Sequence, residues 1–361
     1  MVGTSDYSAR GEAKPVFPNI AGTAVAAGRF ATWLVDDFKD PLQTPLRTVR
    51  VLLSKMPSED DFLPENRSWE PATDGNVALA LERWKHDCNS DSGNVAILYA
   101  GGHGTVTTDG AQHIFLSNAN VLEDRYRMSI SVSVIKDLMR NCHARSNVYV
   151  FDCCALTEGQ IPDVIQTGGV RIAPFTDNPG PKRKYEFTIT AARVGTASHT
   201  LGPKDGTLLS WALLPLLKTA GKLIDEFFTV TKEKLDEQLL PAMRGWQQIK
   251  LPRGHEPVVK GDADPSGFTR PQPPPTFPIS FVSDPEAAGR TVTVTISDRA
   301  SGQTKMQKLV NGGNNAPFEL PAGPYNVMAE IRSGGERQTS RFKLDVDQSL
   351  QIFAFTGEAA P

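Results

Sequence analysis

Apolar residues recur at helical spacing through residues 21–35, AGTAVAAGRFATWLV, which puts Val25, Phe30, Trp33 and Leu34 on one buried face. Val49 to Leu53 then forms a short apolar run of strand length, and the acidic, proline-bounded stretch 57–71 predicts a surface loop. Thr73 or Asp74 is placed to cap a helix that turns Val77, Leu81 and Trp84 inward. NVAILYA at 94–100 and NVYVF at 147–151 are continuous apolar runs, as expected of strands buried on both faces. Between them, 130–142 predicts a helix with Val134, Ile135, Leu138 and Met139 inward; a strand at 187–192 and a helix at 208–217 follow. Strands alternating with helices predict an α/β fold, a mostly parallel sheet flanked by helices, over residues 1–260. The first strand of that sheet has only MVGTSDY from which to form.

After residue 260 the pattern changes. Residues 261–277 are dense in proline and read as an extended linker. From 278 to 361 the period drops to two, most clearly in TVTVTIS at 291–297 and again at 325–331, 342–346 and 350–355. About seven short strands in that span predict a small all-β sandwich. Its LPAGPYNV stretch resembles small immunoglobulin-like or prealbumin-like modules, expected here as an accessory domain.

Composition narrows the function classes. The 361 residues carry 38 Lys and Arg against 41 Asp and Glu, a net charge of −3, which gives no electrostatic reason to expect nucleic acid as a partner. The most apolar stretch, 208–217, is too short to cross a bilayer, and the first residues lack the layout of a secretion signal. Four cysteines, Cys88, Cys142, Cys153 and Cys154, make no disulfide framework and no zinc-binding spacing. The chain is expected to be cytoplasmic, without a metal or cofactor, and an unpaired thiol in such a setting is a candidate nucleophile.

In a parallel sheet, reactive groups gather at the carboxyl ends of the strands. NVAILYA runs into Gly101, Gly102, His103 and Gly104, and NVYVF runs into Asp152, Cys153 and Cys154. Neighbouring strands would therefore bring an imidazole and a thiol to one edge, the minimum needed for thiol nucleophilic catalysis. Cys88 and Cys142 are assigned to helices as structural residues. His86, His113, His143, His199 and His255 lack metal-like spacing and are assigned to surface or loop positions.

ILYAGGHG and VYVFDCCA together resemble the two motifs of the caspase-like cysteine peptidases, the group of caspases, metacaspases and their prokaryotic relatives. The 51-residue spacing from His103 to Cys154 agrees with the resemblance, which spans 1 to about 260. The resemblance implies a His103–Cys154 dyad and an oxyanion hole of the Gly104 and Cys154 backbone N–H groups. It also implies that Asp152 binds a basic side chain, so that protein or peptide substrates are cut after Arg or Lys. Lys182, Arg183 and Lys184 lie where such enzymes carry an activating cleavage site, which implies a zymogen processed by itself or by an upstream protease. Ala155 and Leu156 after the nucleophile, and Ala26 and Ala27 in the first helix, depart from the family pattern. The alternative is a catalytically inactive relative acting as an interaction scaffold.

Overall fold

The computed structural model describes residues 1–8, 17–59, 69–107, 110–120, 128–157, 185–246, 256–283, 291–311, 315–333, 336–348 and 351–355. They divide into two compact units, 1–217 with 232–268, and 218–231 with 269 onward.

Mixed α/β architecture defines the first unit. In chain order it opens with β1 (Val2–Thr4), α1 (Thr23–Asp36), β2 (Leu52–Ser54), α2 (Asp74–Cys88) and β3 (Val95–Gly102). Three short strands, β4 (Gly104–Val106), β5 (Gln112–Phe115) and β6 (Ser129–Ser131), lead into α3 (Val132–Arg140) and β7 (Ser146–Cys153). Then come β8 (Leu156–Thr157), β9 (Tyr185–Thr190), β10 (Thr200–Gly202), β11 (Gly206–Thr207) and α4 (Leu208–Thr219). After a hairpin of β12 (Gly221–Ile224) and β13 (Phe227–Val230), which belongs to the second unit, the first unit resumes with α5 (Lys232–Arg244) and β14 (Val258–Asp262). The central sheet has the order β14-β9-β7-β3-β1-β2, parallel except for β14, which runs antiparallel to β9 at one edge.

Strand alternation divides the side chains of β3 and β7 between two helical layers. Ala96, Leu98, Ala100, Tyr149, Phe151 and Cys153 share a buried cluster with Val77 and Leu81 of α2 and Ile135 and Met139 of α3. On the other face Tyr99 packs at a tilt against Phe30 of α1, with ring centres 5.0 Å apart. The helix α1 has Gly22 at its N-cap and no side-chain cap of its own. Glu59 takes the Gly22 N–H at 2.6 Å and Ser5 Oγ takes that of Ala24 at 2.9 Å. A carboxylate at a helix N-terminus is favoured by the helix dipole. Glu59 is therefore buried, although the 57–71 stretch reads from sequence as surface loop.

Other expectations need correction. Val134 is exposed, because only Ile135, Leu138 and Met139 of α3 fall on the stripe facing the sheet. Cys142 is buried but lies past the end of α3. The segment 261–277 is not a free linker. Asp262 ends a sheet strand, Asp264 binds Arg145, and Phe268 packs on Trp33, Phe38 and Phe187.

The second unit is all β. Among the described residues its strands after the hairpin are β15 (Thr276–Ser283), β16 (Thr291–Asp298), β17 (Thr304–Asn311), β18 (Asn315–Pro321), β19 (Gly323–Ser333), β20 (Glu336–Val346) and β21 (Gln351–Phe355). They form sheets of order β18-β15-β21 and β17-β16-β19-β20. Val292, Val294 and Ile296 are buried and alternate with half-exposed threonines, as the period of two requires. The β12–β13 hairpin, part of this unit, turns through Asp225 and Glu226 with φ of 48° and 68°, the left-handed pair of a two-residue hairpin turn.

Arg145 ties distant parts of the first unit together. Its guanidinium binds Asp40, Asp264 at 2.9 Å and the Gly93 carbonyl at 2.5 Å, and both carboxylates are almost fully buried. Arg145→Ala leaves two buried carboxylates without their cation, so unfolding in urea should show a loss of about 3–5 kcal/mol.

Candidate active site

Gly101 of β3 lies opposite Asp152 of β7, and Gly102 lies opposite Cys153. The next residues, His103 and Cys154, therefore leave paired parallel strands at the same carboxyl edge. Two glycines make the crossing possible. A Cβ at Gly102 would lie 2.5 Å from the Tyr7 hydroxyl, and one at Gly104 would lie 2.8 Å from Cys153 Sγ and overlap the Cys154 carbonyl. The glycines around His103 thus let the backbone approach Tyr7 and the Cys153–Cys154 turn.

His103 is held by groups distant in sequence. Its backbone N–H donates to the Tyr7 hydroxyl at 2.8 Å, which in turn donates to the Phe115 carbonyl at 3.1 Å. The imidazole lies against the rings of Tyr7 and Phe17, with centres 4.8 and 5.3 Å away. Nε2 lies 2.8 Å from the Pro18 carbonyl oxygen. A carbonyl only accepts, so the hydrogen-bond network assigns the proton to Nε2 and leaves the lone pair of the neutral ring on Nδ1. Burial lowers the His103 pKa, and the Pro18 hydrogen bond offsets only part of that effect. Near pH 7 the ring is therefore a neutral base.

Cys154 is half-buried, and its Sγ accepts a hydrogen bond from the Ser198 N–H at 3.3 Å, with Ser198 Oγ at 3.7 Å. Its neighbour Cys153 points into the α2–α3 core, where burial, followed by the charges of Cys154 and Asp152, pushes its pKa well up. Of the two adjacent sulfurs, one is a core group and the other faces the site. Among the described residues, no hydrogen bond joins His103 to Cys154. Such bonds are often long without substrate and tighten in the reacting complex.

The backbone here also offers donors. Phe115 N–H bonds the His103 carbonyl and Thr107 N–H bonds the Ala111 carbonyl, so positions 103 and 107 occupy the bonded register with β5 and its turn. Gly104 is one residue out of phase, which turns its N–H away from β5, toward the edge occupied by β8 and Cys154.

Asp152 points to the face opposite Cys153 and is 1% exposed. Tyr99 donates to its Oδ2 at 2.5 Å and the Thr207 hydroxyl donates to the same oxygen, whereas buried Oδ1 has no partner. Burial raises the Asp152 pKa to about 6 despite the Thr207 and Tyr99 hydrogen bonds. At neutral pH it is thus a carboxylate with one unfilled oxygen.

The sequence-based reading brought His103, Gly104, Asp152 and Cys154 to one strand edge, and the structure places them there. Lys182, Arg183, Lys184 and His255 lie outside the described residues. His113 is not at the surface; it is buried on β5, with Nδ1 at 3.0 Å from Ser129 Oγ. Sequence reasoning does not reach Tyr7, Phe17, Pro18, Ser198 and Thr207; the aromatic and proline content before α1 is the signal for the first three, and Ser198 and Thr207 carry none. Among the described residues no cluster of His, Cys, Asp or Glu could hold a metal ion, and no helix is long and apolar enough to cross a membrane. A cavity of about 310 Å³ lies at the other, amino-terminal edge of the sheet, between Val2, Leu52, Leu81, Trp84 and Val95, away from His103 and Cys154. No family model matches the chain, and no curated protein matches it.

The raised pKa of Asp152 makes stability depend on pH. The folded chain holds this proton more tightly than the unfolded chain, whose carboxyl titrates near about 3.9. This group's contribution therefore falls as pH rises from about 4 to the folded value of about 6, and then levels off. Asp152→Asn removes that slope. Denaturation at pH 4, 5, 6 and 7 should show the variant gaining on the wild type across the window, and a constant difference would contradict the assignment.

Proposed function

We propose that the protein is a caspase-like cysteine endopeptidase that cleaves protein substrates after a basic residue, Arg or Lys. The observation that carries this reading is the β3–β7 register, which sets a neutral imidazole and a half-buried thiol at adjacent strand tips. The mostly parallel sheet with its reactive groups at the carboxyl edge supports the caspase-like assignment.

In the proposed reaction, His103 Nδ1 takes the Cys154 thiol proton and the thiolate attacks the scissile carbonyl carbon. The carbonyl π electrons move to oxygen, where the N–H groups of Gly104 and Cys154 receive the charge, each such donor contributing about 10²–10³ in rate. Collapse of this intermediate breaks the C–N bond, and His103 returns the proton to the departing amine. Water, deprotonated by the same imidazole, then attacks the acyl-enzyme carbonyl and releases Cys154 Sγ with the new carboxylate product. The buried Asp152 carboxylate, with one oxygen unfilled, is suited to a substrate guanidinium or ammonium. Zymogen processing at Lys182, Arg183 and Lys184, by the enzyme itself or an upstream protease, and a cytoplasmic setting belong to the same proposal.

A second reading, an inactive interaction scaffold, draws on the missing hydrogen bond between His103 and Cys154. A peptide panel with Arg, Lys or Asp at the cleaved position separates the two. The peptidase reading expects turnover on the Arg and Lys peptides, loss of at least about 10³-fold in Cys154→Ala and His103→Ala, and a drop of about 10²-fold or more in Asp152→Asn. No turnover of any peptide by processed wild type would support the scaffold.

A further inference from the structure

The strap between β9 and β10 meets the nucleophile directly. It leaves β9 beyond Thr190, and the Arg193 guanidinium anchors it to Glu256 at 2.7 Å. Glu256 is held from the other side by Arg244 at 3.2 Å. Two backbone hydrogen bonds then join the strap to the turn after Cys154, with Ala155 N–H donating to the Thr196 carbonyl at 2.9 Å and Gly195 N–H to the Ala155 carbonyl at 2.7 Å. A tight turn, with the Thr196 N–H and hydroxyl both on the Arg193 carbonyl, fixes the strap's curvature. Two residues later the chain delivers Ser198 N–H to Cys154 Sγ.

This contact has the character of an anion site. A sulfur accepts hydrogen bonds weakly as a thiol and strongly as a thiolate, so a fixed N–H aimed at it favours the charged form. The donor belongs to the backbone of a segment tied at both sides, so it requires no side-chain ordering when the charge appears. His103 makes no hydrogen bond to this sulfur, and its Nε2 is committed to Pro18. We propose that the Ser198 backbone N–H, held in place by the strap 193–198, is the thiolate-stabilising donor of the site, and that Ser198 is a positioning residue acting through Cys154.

The proposal goes beyond the peptidase reading and is tested without it. The probe is iodoacetamide: the pH–rate profile for alkylation of Cys154 is followed by peptide mass spectrometry, with buried Cys88, Cys142 and Cys153 as internal references. Ser198→Pro removes the N–H, whereas Ser198→Ala keeps it and removes only the hydroxyl. The expected result is alkylation about tenfold slower near pH 7 in Ser198→Pro, its profile moved up by about one pH unit, and a wild-type-like profile in Ser198→Ala. An unmoved profile in a folded Ser198→Pro, or an equal shift in Ser198→Ala, would overturn it. A third measurement covers the case in which the proline variant does not fold. In Arg193→Ala, which releases the strap from Glu256, alkylation of Cys154 near pH 7 should be slower than in wild type, and an unchanged rate defeats the proposal. If wild type cleaves no peptide while these alkylation shifts appear, the peptidase reading fails and the thiolate assignment stands.

Discussion

Parallel pairing of β3 with β7, from Val95 opposite Ser146 to Gly102 opposite Cys153, is the constraint on which the site depends. Hydrogen bonds along eight residue pairs fix where both strands end, and side-chain alternation then decides what each ending presents. Phe151 and Cys153 enter the α2–α3 layer, Asp152 turns toward α1 and α4, and Cys154 stands clear of the sheet. Chemical individuality in the DCC run thus arises from the geometry of a pleated strand and the helices covering it.

Around this edge the molecule spends polar groups sparingly. Tyr7 serves two partners with one hydroxyl, receiving from His103 and donating to Phe115. Asp152 receives two hydroxyls on one oxygen and none on the other. A buried acceptor left open costs about 1–3 kcal/mol, and Asp152 Oδ1 carries that cost. The Arg145 cluster of the same unit is by contrast fully paired.

Much of the fold was readable along the chain because periodicity reports burial. The runs NVAILYA and NVYVF, the stripe in α1 and the alternation in TVTVTIS each state locally which face is covered. The His103–Cys154 juxtaposition was readable for the same reason, since both residues follow directly on strands. What stayed hidden is what sequence-distant contacts decide. Nothing near Val134 reveals that its side of α3 meets water, and nothing in GDADPSGF announces that Asp264 is the partner of Arg145. The β12–β13 hairpin escaped because GKLIDEFFTV carries a polar turn without glycine, and backbone adopting positive φ at Asp225 and Glu226 replaces it. Pro18 and Ser198 enter the site through backbone atoms, whose roles no side-chain pattern encodes.

The opposed sulfurs of Cys153 and Cys154 also say something about how this chain can change length. The connection from Arg140 to Ser146 is short, and the Asn94 carbonyl holds the Arg145 N–H at its far end. An inserted or deleted residue there that shifted β7 by one place would exchange the two environments, burying the outer thiol and turning the carboxylate of Asp152 into the apolar layer. This connection is pinned at its far end, and a change of its length would be expected only together with loss of the paired arrangement of His103 and Cys154.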